Sequence, residues 1–292
     1  MSQTITPELR RWIIEQASAG FEPEAVLASM VASGWQEAVA VSAMESTLRE
    51  HLRNNPVAVV PPTVPARAAV AEGGVPVPDF DLSQAPRQID AGDRMVDVIA
   101  TLNNPRVVVL GNLLSDEECD ALIASARPRL ARSLTVQIKT GGEEENADRT
   151  SSGMFFARGE TPEVARVEAR IARLLNWPLE NGEGFQVLNY GPGSEYKPHY
   201  DYFDPHEPGT PTILRRGGQR VATIVMYLNE PSRGGGTTFP DVGFEVAPVR
   251  GNAVFFSYDR AHPSTRTLHG GAPVIEGEKW VATKWLRERE FV

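Results

Sequence analysis

Cysteine is nearly missing from this chain: Cys119 is the only one among 292 residues. A lone thiol excludes an intrachain disulfide framework and a cysteine-based zinc site within one chain. Excess positive charge is missing too. Lys and Arg number 29 against 38 Asp and Glu, a formal net charge of −9. That balance argues against a general binder of nucleic acid or of anionic membrane. No run approaches the roughly eighteen apolar residues that span a bilayer. The opening MSQTITPELRRWIIEQ lacks the basic-then-apolar layout of a secretory signal. The expectation is a cytoplasmic, reducing setting with neither membrane nor nucleic acid as partner.

What remains is ordinary for a globular chain: 41% hydrophobic and 23% charged residues, enough to bury a substantial core. Three parts are legible. Residues 1–53 read as a small three-helix unit. Thr6-Pro7-Glu8 supplies a capping hydroxyl, a first-turn proline and an acid at the positive dipole end, and Leu9, Trp12, Ile13 and Ala17 follow at helical spacing. Further helices fit Glu22–Ala32 and Gln36–Leu52. With its Gly20-Phe21 and Ser33-Gly34-Trp35 turns the unit loosely resembles ubiquitin-associated-type domains. A protein partner for these helices is one reading, and a plain packing or dimerisation element is the other.

Residues 54–88 form the second part, with seven prolines between Pro56 and Pro86, and read as an extended linker. Residues 89–292 are the third. A strand is expected at Val107–Leu110. Ser115 and Glu118 make a capping box for a helix through Cys119, Leu122, Ile123 and Ala126, which gives Cys119 a packing role. Gly141–Asp148 is a polar, glycine-rich loop. Val164, Val167, Ile171 and Leu174 set a second helix over Val164–Leu175. Five β-rich runs follow: Phe185–Tyr190, Lys197–Phe203, Gln219–Asn229, Ala253–Tyr258 and Lys279–Leu286. The fold class expected is α+β: a double-stranded β-helix, or jelly roll, with flanking helices, plus the N-terminal helical unit.

Five histidines are the main metal-ligand resource: His51, His199, His206, His262 and His269. In His199-Tyr200-Asp201, an extended strand would present imidazole and carboxylate side by side. His269 would complete a two-histidine, one-carboxylate set with open positions, the donor set of non-haem Fe(II) oxygenases. Ten residues on, Lys279 shares a strand face with Val281, Thr283 and Trp285. An inward lysine needs an anion, because an unpaired buried ammonium is costly. The far carboxylate of 2-oxoglutarate would serve, with its keto acid and O2 filling the open metal positions.

These blocks together resemble the prolyl 4-hydroxylase family of Fe(II)/2-oxoglutarate dioxygenases. Leu113 to Ile123 looks like the family's opening helix, and Arg149-Thr150-Ser151-Ser152-Gly153 like its Arg-Ser-Ser-Gly strand. The block Tyr190-x-x-Gly-x-x-Tyr196-x-x-His199-x-Asp201 follows in order. So do Gly217-Gly218-Gln219-Arg220, Ala222-Thr223 with Tyr227-Leu228-Asn229, Gly235-Gly236-Thr237-Thr238-Phe239-Pro240, Gly251-Asn252-Ala253-Val254-Phe255-Phe256, and the His269-to-Trp285 close. The resemblance implies iron at His199, Asp201 and His269. It implies the C5 carboxylate of 2-oxoglutarate at Lys279 and the Tyr190 hydroxyl, with Thr223 and Trp285 lining that pocket. Tyr196, Arg220 and Arg149 would contact substrate, and the loop Gly141–Asp148 would be a lid. The implied reaction is hydroxylation of a peptidyl proline, coupled to decarboxylation of 2-oxoglutarate and supported by L-ascorbate.

The residues leave alternatives open. His262 competes with His269 as third ligand; Arg220 reads equally as a structural ion pair, and Trp285 as core. Lys284, facing away from Lys279, reads as solvated. Another peptide residue or a free amino acid is the rival substrate. A non-catalytic binding module and a zinc hydrolase are rivals of another class. Arg287 and Ala272 depart from the family pattern, which often has histidine and cysteine there.

Overall fold

The computed structural model describes residues 5–18, 23–54, 74–132, 134–136, 143–145 and 150–292. Arg149 lies outside the described residues. So do the loop 141–148, apart from 143–145, and residues 55–73 of the expected linker.

The chain divides into two compact units, Met1–Val64 and Pro65–Val292. The first contains helices α1 (Pro7–Ser18), α2 (Pro23–Ala32) and α3 (Glu37–Asn54). Ile13, Val26, Met30, Ala40, Ala43 and Met44 are its buried centre, with Leu9 and Trp12 packed on them. The Thr6 hydroxyl accepts the Leu9 N–H at 3.3 Å, the cap expected from Thr6-Pro7. Among the described residues no helix is long and apolar enough to cross a membrane.

In the second unit the strands are β1 (Gln88–Asp90), β2 (Met95–Leu102), β3 (Arg106–Gly111), β4 (Ala131–Arg132), β5 (Leu134–Val136), β6 (Glu143–Glu145), β7 (Ser152–Phe155) and β8 (Gln186–Tyr190). They continue as β9 (Tyr196–His199), β10 (Arg220–Tyr227), β11 (Arg233–Gly234), β12 (Thr237–Phe239) and β13 (Phe244–Val246). The last are β14 (Ala253–Ser257), β15 (His269–Gly271), β16 (Val274–Glu276) and β17 (Lys279–Arg287). Helices α4 (Asp116–Ala126) and α5 (Pro162–Leu175) are the long ones; α6 (Thr210–Leu214) is a single turn.

A large antiparallel sheet runs β1-β2-β3-β14-β10-β17-β8-β7-β4, and a smaller one runs β13-β12-β15-β9. Leu122 of α4 and Val164, Val167 and Ile171 of α5 pack on Val108, Ile224, Trp280, Ala282 and Leu286 of the large sheet. Its other face carries Val107, Val109, Leu188, Val254, Phe256 and Val281, packed with Phe239 and Val246 of the small sheet. Strand β17 is thus buried on both faces along its whole length, its Lys279, Thr283, Lys284 and Arg287 included. Its even-numbered residues serve the helix side. Its odd-numbered residues, Lys279 to Trp285, face the space between the sheets.

Helix α4 starts as expected. The Ser115 hydroxyl accepts the Glu118 N–H at 3.2 Å, and Glu118 Oε2 accepts the Ser115 N–H at 2.9 Å, a reciprocal cap worth about 0.5–2 kcal/mol. Cys119 is fully buried, and burial pushes its thiol up to about 11. Helix α5 begins at the Thr161 cap with Pro162 behind it and ends at Asn176 in the left-handed region, φ 46°.

Three expectations need correction. The strand expected over Lys197–Phe203 stops at His199. Beyond it the Gln219 carboxamide stands in for a neighbouring strand, accepting the Phe203 N–H and donating to the Phe203 carbonyl, both at 2.8 Å. The later part of the expected linker is folded onto the second unit. Phe80 and Leu82 are buried, Phe80 stands edge-on to Phe255, and Arg106 forks onto Asp79. Proline content hid these two apolar anchors. Lys284 is not solvated: it is 2% exposed and its Nζ lies 2.5 Å from Glu168 Oε1. It faces the helices, and the acid it needs comes from α5.

Candidate metal and cosubstrate site

The ladder between β9 and β15 sets His199 directly opposite His269. Cross-strand partners bring side chains within reach of one another, and the two imidazole centroids are 4.4 Å apart. Asp201 enters from the bend just after β9. Its Oδ1 is 3.4 Å from His199 Nε2, and its Oδ2 is 3.5 Å from His269 Nε2. Donor atoms of the three residues all lie within 4.8 Å of one another, close enough to share one ion. His262 is exposed, and its Nδ1 accepts the Ser264 N–H at 3.1 Å, so it is not brought to this cluster. His206 is likewise exposed.

The donor set suits a divalent cation. His199 Nδ1 lies 2.9 Å from the Lys197 carbonyl, and His269 Nδ1 lies 3.0 Å from the Thr267 carbonyl. A carbonyl only accepts, so each Nδ1 carries the proton and each Nε2 keeps its lone pair toward Asp201. Such partners orient metal-binding imidazoles. Burial lowers His269 to about 4 against the pull of Asp201, so this imidazole is neutral at neutral pH, as ligation demands. Burial also opposes the charge of Asp201. The neighbouring His269 and His199, together with Arg220, overcome it and hold the carboxyl well below the usual carboxylate range.

A small cavity adjoins these three residues, and its lining includes Tyr190, Tyr196, Lys279, Thr283 and Trp285. Lys279 is 4% exposed. Among the described residues no carboxylate comes within ion-pairing distance of its Nζ. Burial pushes the ammonium down to about 8, although the more distant Glu245 pulls the other way. Leu188, Val225 and Val281 supply apolar wall. The arrangement is a cation on an apolar wall beside a three-donor metal cluster, the layout a dicarboxylic acid requires.

Other candidates take different places. Tyr196 lines the cavity, and its ring stacks on His199 at 3.7 Å between centroids. Thr223 is fully buried, donates to Asp201 Oδ2 at 2.7 Å and does not line the cavity. Trp285 lines it, and its indole N–H has no hydrogen-bond partner among the described residues. Arg220 stacks over Trp285 at 3.9 Å and forks onto Glu183 at 2.7 and 3.0 Å. Its guanidinium is therefore engaged in an ion pair within the fold. Arg287 joins the same carboxylate at 2.6 Å. Glu183 belongs to none of the motifs in the sequence; of its two partners, Arg220 lies in a predicted strand and Arg287 one residue past the end of another. Tyr258 also stands outside the motifs. Its hydroxyl lies 3.0 Å from Thr223 Oγ1, and its only signal was its place at the end of a predicted strand.

Residues 185–287 match the 2OG-Fe(II) oxygenase superfamily. Prolyl 4-hydroxylase 5 of Arabidopsis thaliana is 41% identical over 221 residues, covering 68% of this chain and 74% of that one. Prolyl 4-hydroxylase 1 of the same plant is 44% identical over 204 residues, covering 64% and 70%. Among solved structures, the viral collagen prolyl hydroxylase of Paramecium Bursaria Chlorella virus-1, in its 2OG complex, aligns with a TM-score of 0.47 at 31% identity. That alignment covers 62% of this chain and 95% of the viral one.

Proposed function

The chain belongs to the prolyl 4-hydroxylase family, and we propose that it hydroxylates a proline within a peptide or protein, using Fe(II), O2 and 2-oxoglutarate. The observation that carries this reading is the shared cavity: His199, Asp201 and His269 border the same space as the buried Lys279. In this reading the two sheets of residues 89–292 are a double-stranded β-helix. The helices of residues 1–53 are a partner-binding appendage, L-ascorbate is the supporting reductant, and the setting is cytoplasmic.

His199 and His269, through Nε2, and Asp201, through its carboxylate, hold the iron. When bound, the iron supplies the coupling of O2 reduction to oxidative decarboxylation of 2-oxoglutarate and to insertion of one oxygen atom into a C–H bond. The chain's own residues bind, orient and exclude water. Lys279 receives the C5 carboxylate with a charge-assisted bond, and the Tyr190 hydroxyl adds a second donor. Leu188, Val225 and Val281 keep water from the carbon chain of the cosubstrate. Tyr196 and Trp285 give a prolyl ring an aromatic wall, and the stacked Arg220 holds the Trp285 ring in place.

The test is incubation of the full chain with Fe(II), ascorbate and 2-oxoglutarate, offering either a proline-rich peptide or free proline. Mass spectrometry should find one added oxygen on a peptidyl proline and none on free proline. Oxygen on another residue type, or on free proline alone, would contradict the reading.

A further inference from the structure

Two hydroxyls stand in series behind Asp201. Thr223 Oγ1 lies 2.7 Å from Asp201 Oδ2, and Tyr258 OH lies 3.0 Å from Thr223 Oγ1. All three residues are buried. Counting protons fixes the direction of the series. An ionised carboxylate only accepts, and a threonine hydroxyl has a single proton. Thr223 therefore gives that proton to Asp201, and its lone pair accepts the proton of Tyr258. Donors in series polarise and strengthen one another in a low-dielectric interior.

The sheet builds this series. Thr223 of β10 lies opposite Phe256 of β14, and Tyr258 follows β14 with its own N–H on the Val221 carbonyl at 2.9 Å. The rings of Tyr202 and Phe256, at 6.1 and 6.3 Å, pack on Tyr258. Its hydroxyl is thereby held at a fixed place beside β10. Each oxygen of Asp201 faces one imidazole, Oδ1 at 3.4 Å from His199 Nε2 and Oδ2 at 3.5 Å from His269 Nε2, but only Oδ2 carries the Thr223 hydrogen bond.

We propose that Tyr258 and Thr223 form a two-hydroxyl clamp that fixes the plane of Asp201 and draws on the lone pairs of Oδ2, so that Oδ1 is the oxygen Asp201 preferentially offers a divalent cation. A carboxylate that offers both oxygens takes up two positions on a cation. One that offers a single oxygen leaves a position for other ligands. Tyr258 is in this account a positioning residue whose hydrogen bond acts through Thr223. The proposal rests on Asp201 being a metal ligand, the reading given above.

The test is Co(II) binding to the metal-free full chain, followed by visible absorption. It compares wild type with Thr223→Val, Thr223→Ser, Tyr258→Phe, the Thr223→Val/Tyr258→Phe double variant and His269→Ala. Thr223→Val should weaken Co(II) binding by about 10–100-fold, as loss of a ligand's supporting partner does, and should shift the absorption bands. Tyr258→Phe should cost less, roughly 2–12-fold, the worth of one neutral hydrogen bond. Thr223→Ser should keep wild-type affinity. The double variant should bind no more weakly than Thr223→Val, because the hydrogen bond given by Tyr258 reaches Asp201 by way of Thr223.

Wild-type affinity in Tyr258→Phe overturns the clamp, and so do losses that add in the double variant. If Thr223→Val fails to fold, Tyr258→Phe and Thr223→Ser decide on their own. Loss of binding in His269→Ala places the ion at the cluster. A wild-type chain that binds no Co(II) overturns the site reading and the clamp together, whereas unchanged Tyr258→Phe beside a Co(II)-binding wild type overturns the clamp alone.

Discussion

Lys279 stands directly opposite Tyr190 in the ladder between β17 and β8, with its Nζ 5.6 Å from the centre of the Tyr190 ring. The pair marks one wall of the cavity that the metal cluster adjoins. An ammonium in such a place is held by ring faces and by whatever anion enters. Truncating one partner of a buried charge pair costs about 2–5 kcal/mol. Lys279→Ala should therefore raise the KM for 2-oxoglutarate roughly 30-fold or more, and saturating cosubstrate should restore most of kcat. Steady-state kinetics at varied 2-oxoglutarate check this, and an unchanged KM would count against the assignment.

The same lysine predicts a pH dependence. Burial lowers its ammonium to about 8 in the ligand-free protein, and only the protonated form pairs with a carboxylate. Binding therefore takes up a proton as pH rises through about 8. Affinity for 2-oxoglutarate should be flat below that pH and should fall about tenfold per unit above it. The check is the dissociation constant at several pH values. A flat profile to pH 10 would contradict the assignment.

Lys284 lies on the same strand and should behave differently. It faces α5, buried and paired with Glu168, which is itself 2% exposed. Removing one member of a buried pair costs about 3–5 kcal/mol. Lys284→Ala should lower the melting temperature by about 6–20 °C, at 2–4 °C per kcal/mol for a domain of this size. The KM for 2-oxoglutarate in the surviving folded fraction should not move. Joint replacement, Lys284→Met with Glu168→Leu, should recover most of the lost stability, as thermal melts of the three chains would show.

Glu183 sits between Arg220 and Arg287, its Oε1 at 2.7 and 2.6 Å from the two guanidiniums. Burial alone would raise its carboxyl, but the two arginines hold it below the ordinary value. A depressed carboxyl contributes stability above its unfolded value of about 4.3 and loses it as pH falls through the folded value. Glu183→Gln should therefore lower stability at pH 7, and the difference from wild type should shrink in acid. Denaturant melts at pH 7 and pH 3 measure it. A difference that persists undiminished in acid would contradict the assigned charge.

Much of this site was legible in the sequence because strand periodicity and pairing are local rules. The inward face of β17 could be read from Lys279, Val281, Thr283 and Trp285, and His199 and His269 from their motifs. What the sequence hid depended on partners remote in the chain. Lys284 looked solvated because its acid lies 116 positions away on α5. The ion pair of Arg220 is invisible in the sequence because Glu183 stands between two glycines, outside every motif. Phe80 and Leu82 were masked by the prolines around them. Thr223 was expected to line the cosubstrate pocket, and only the β10–β14 register shows its hydroxyl turned to Asp201 and met by Tyr258.

The most direct test of the central claim is the ratio of succinate formed to prolyl oxygen gained when the full chain turns over a proline-rich peptide with Fe(II), ascorbate and 2-oxoglutarate. The account predicts peptide-stimulated succinate, close to one per hydroxylated proline, and loss of both products in His269→Ala. Succinate that ignores the peptide, or prolyl oxygen that survives His269→Ala, would contradict it.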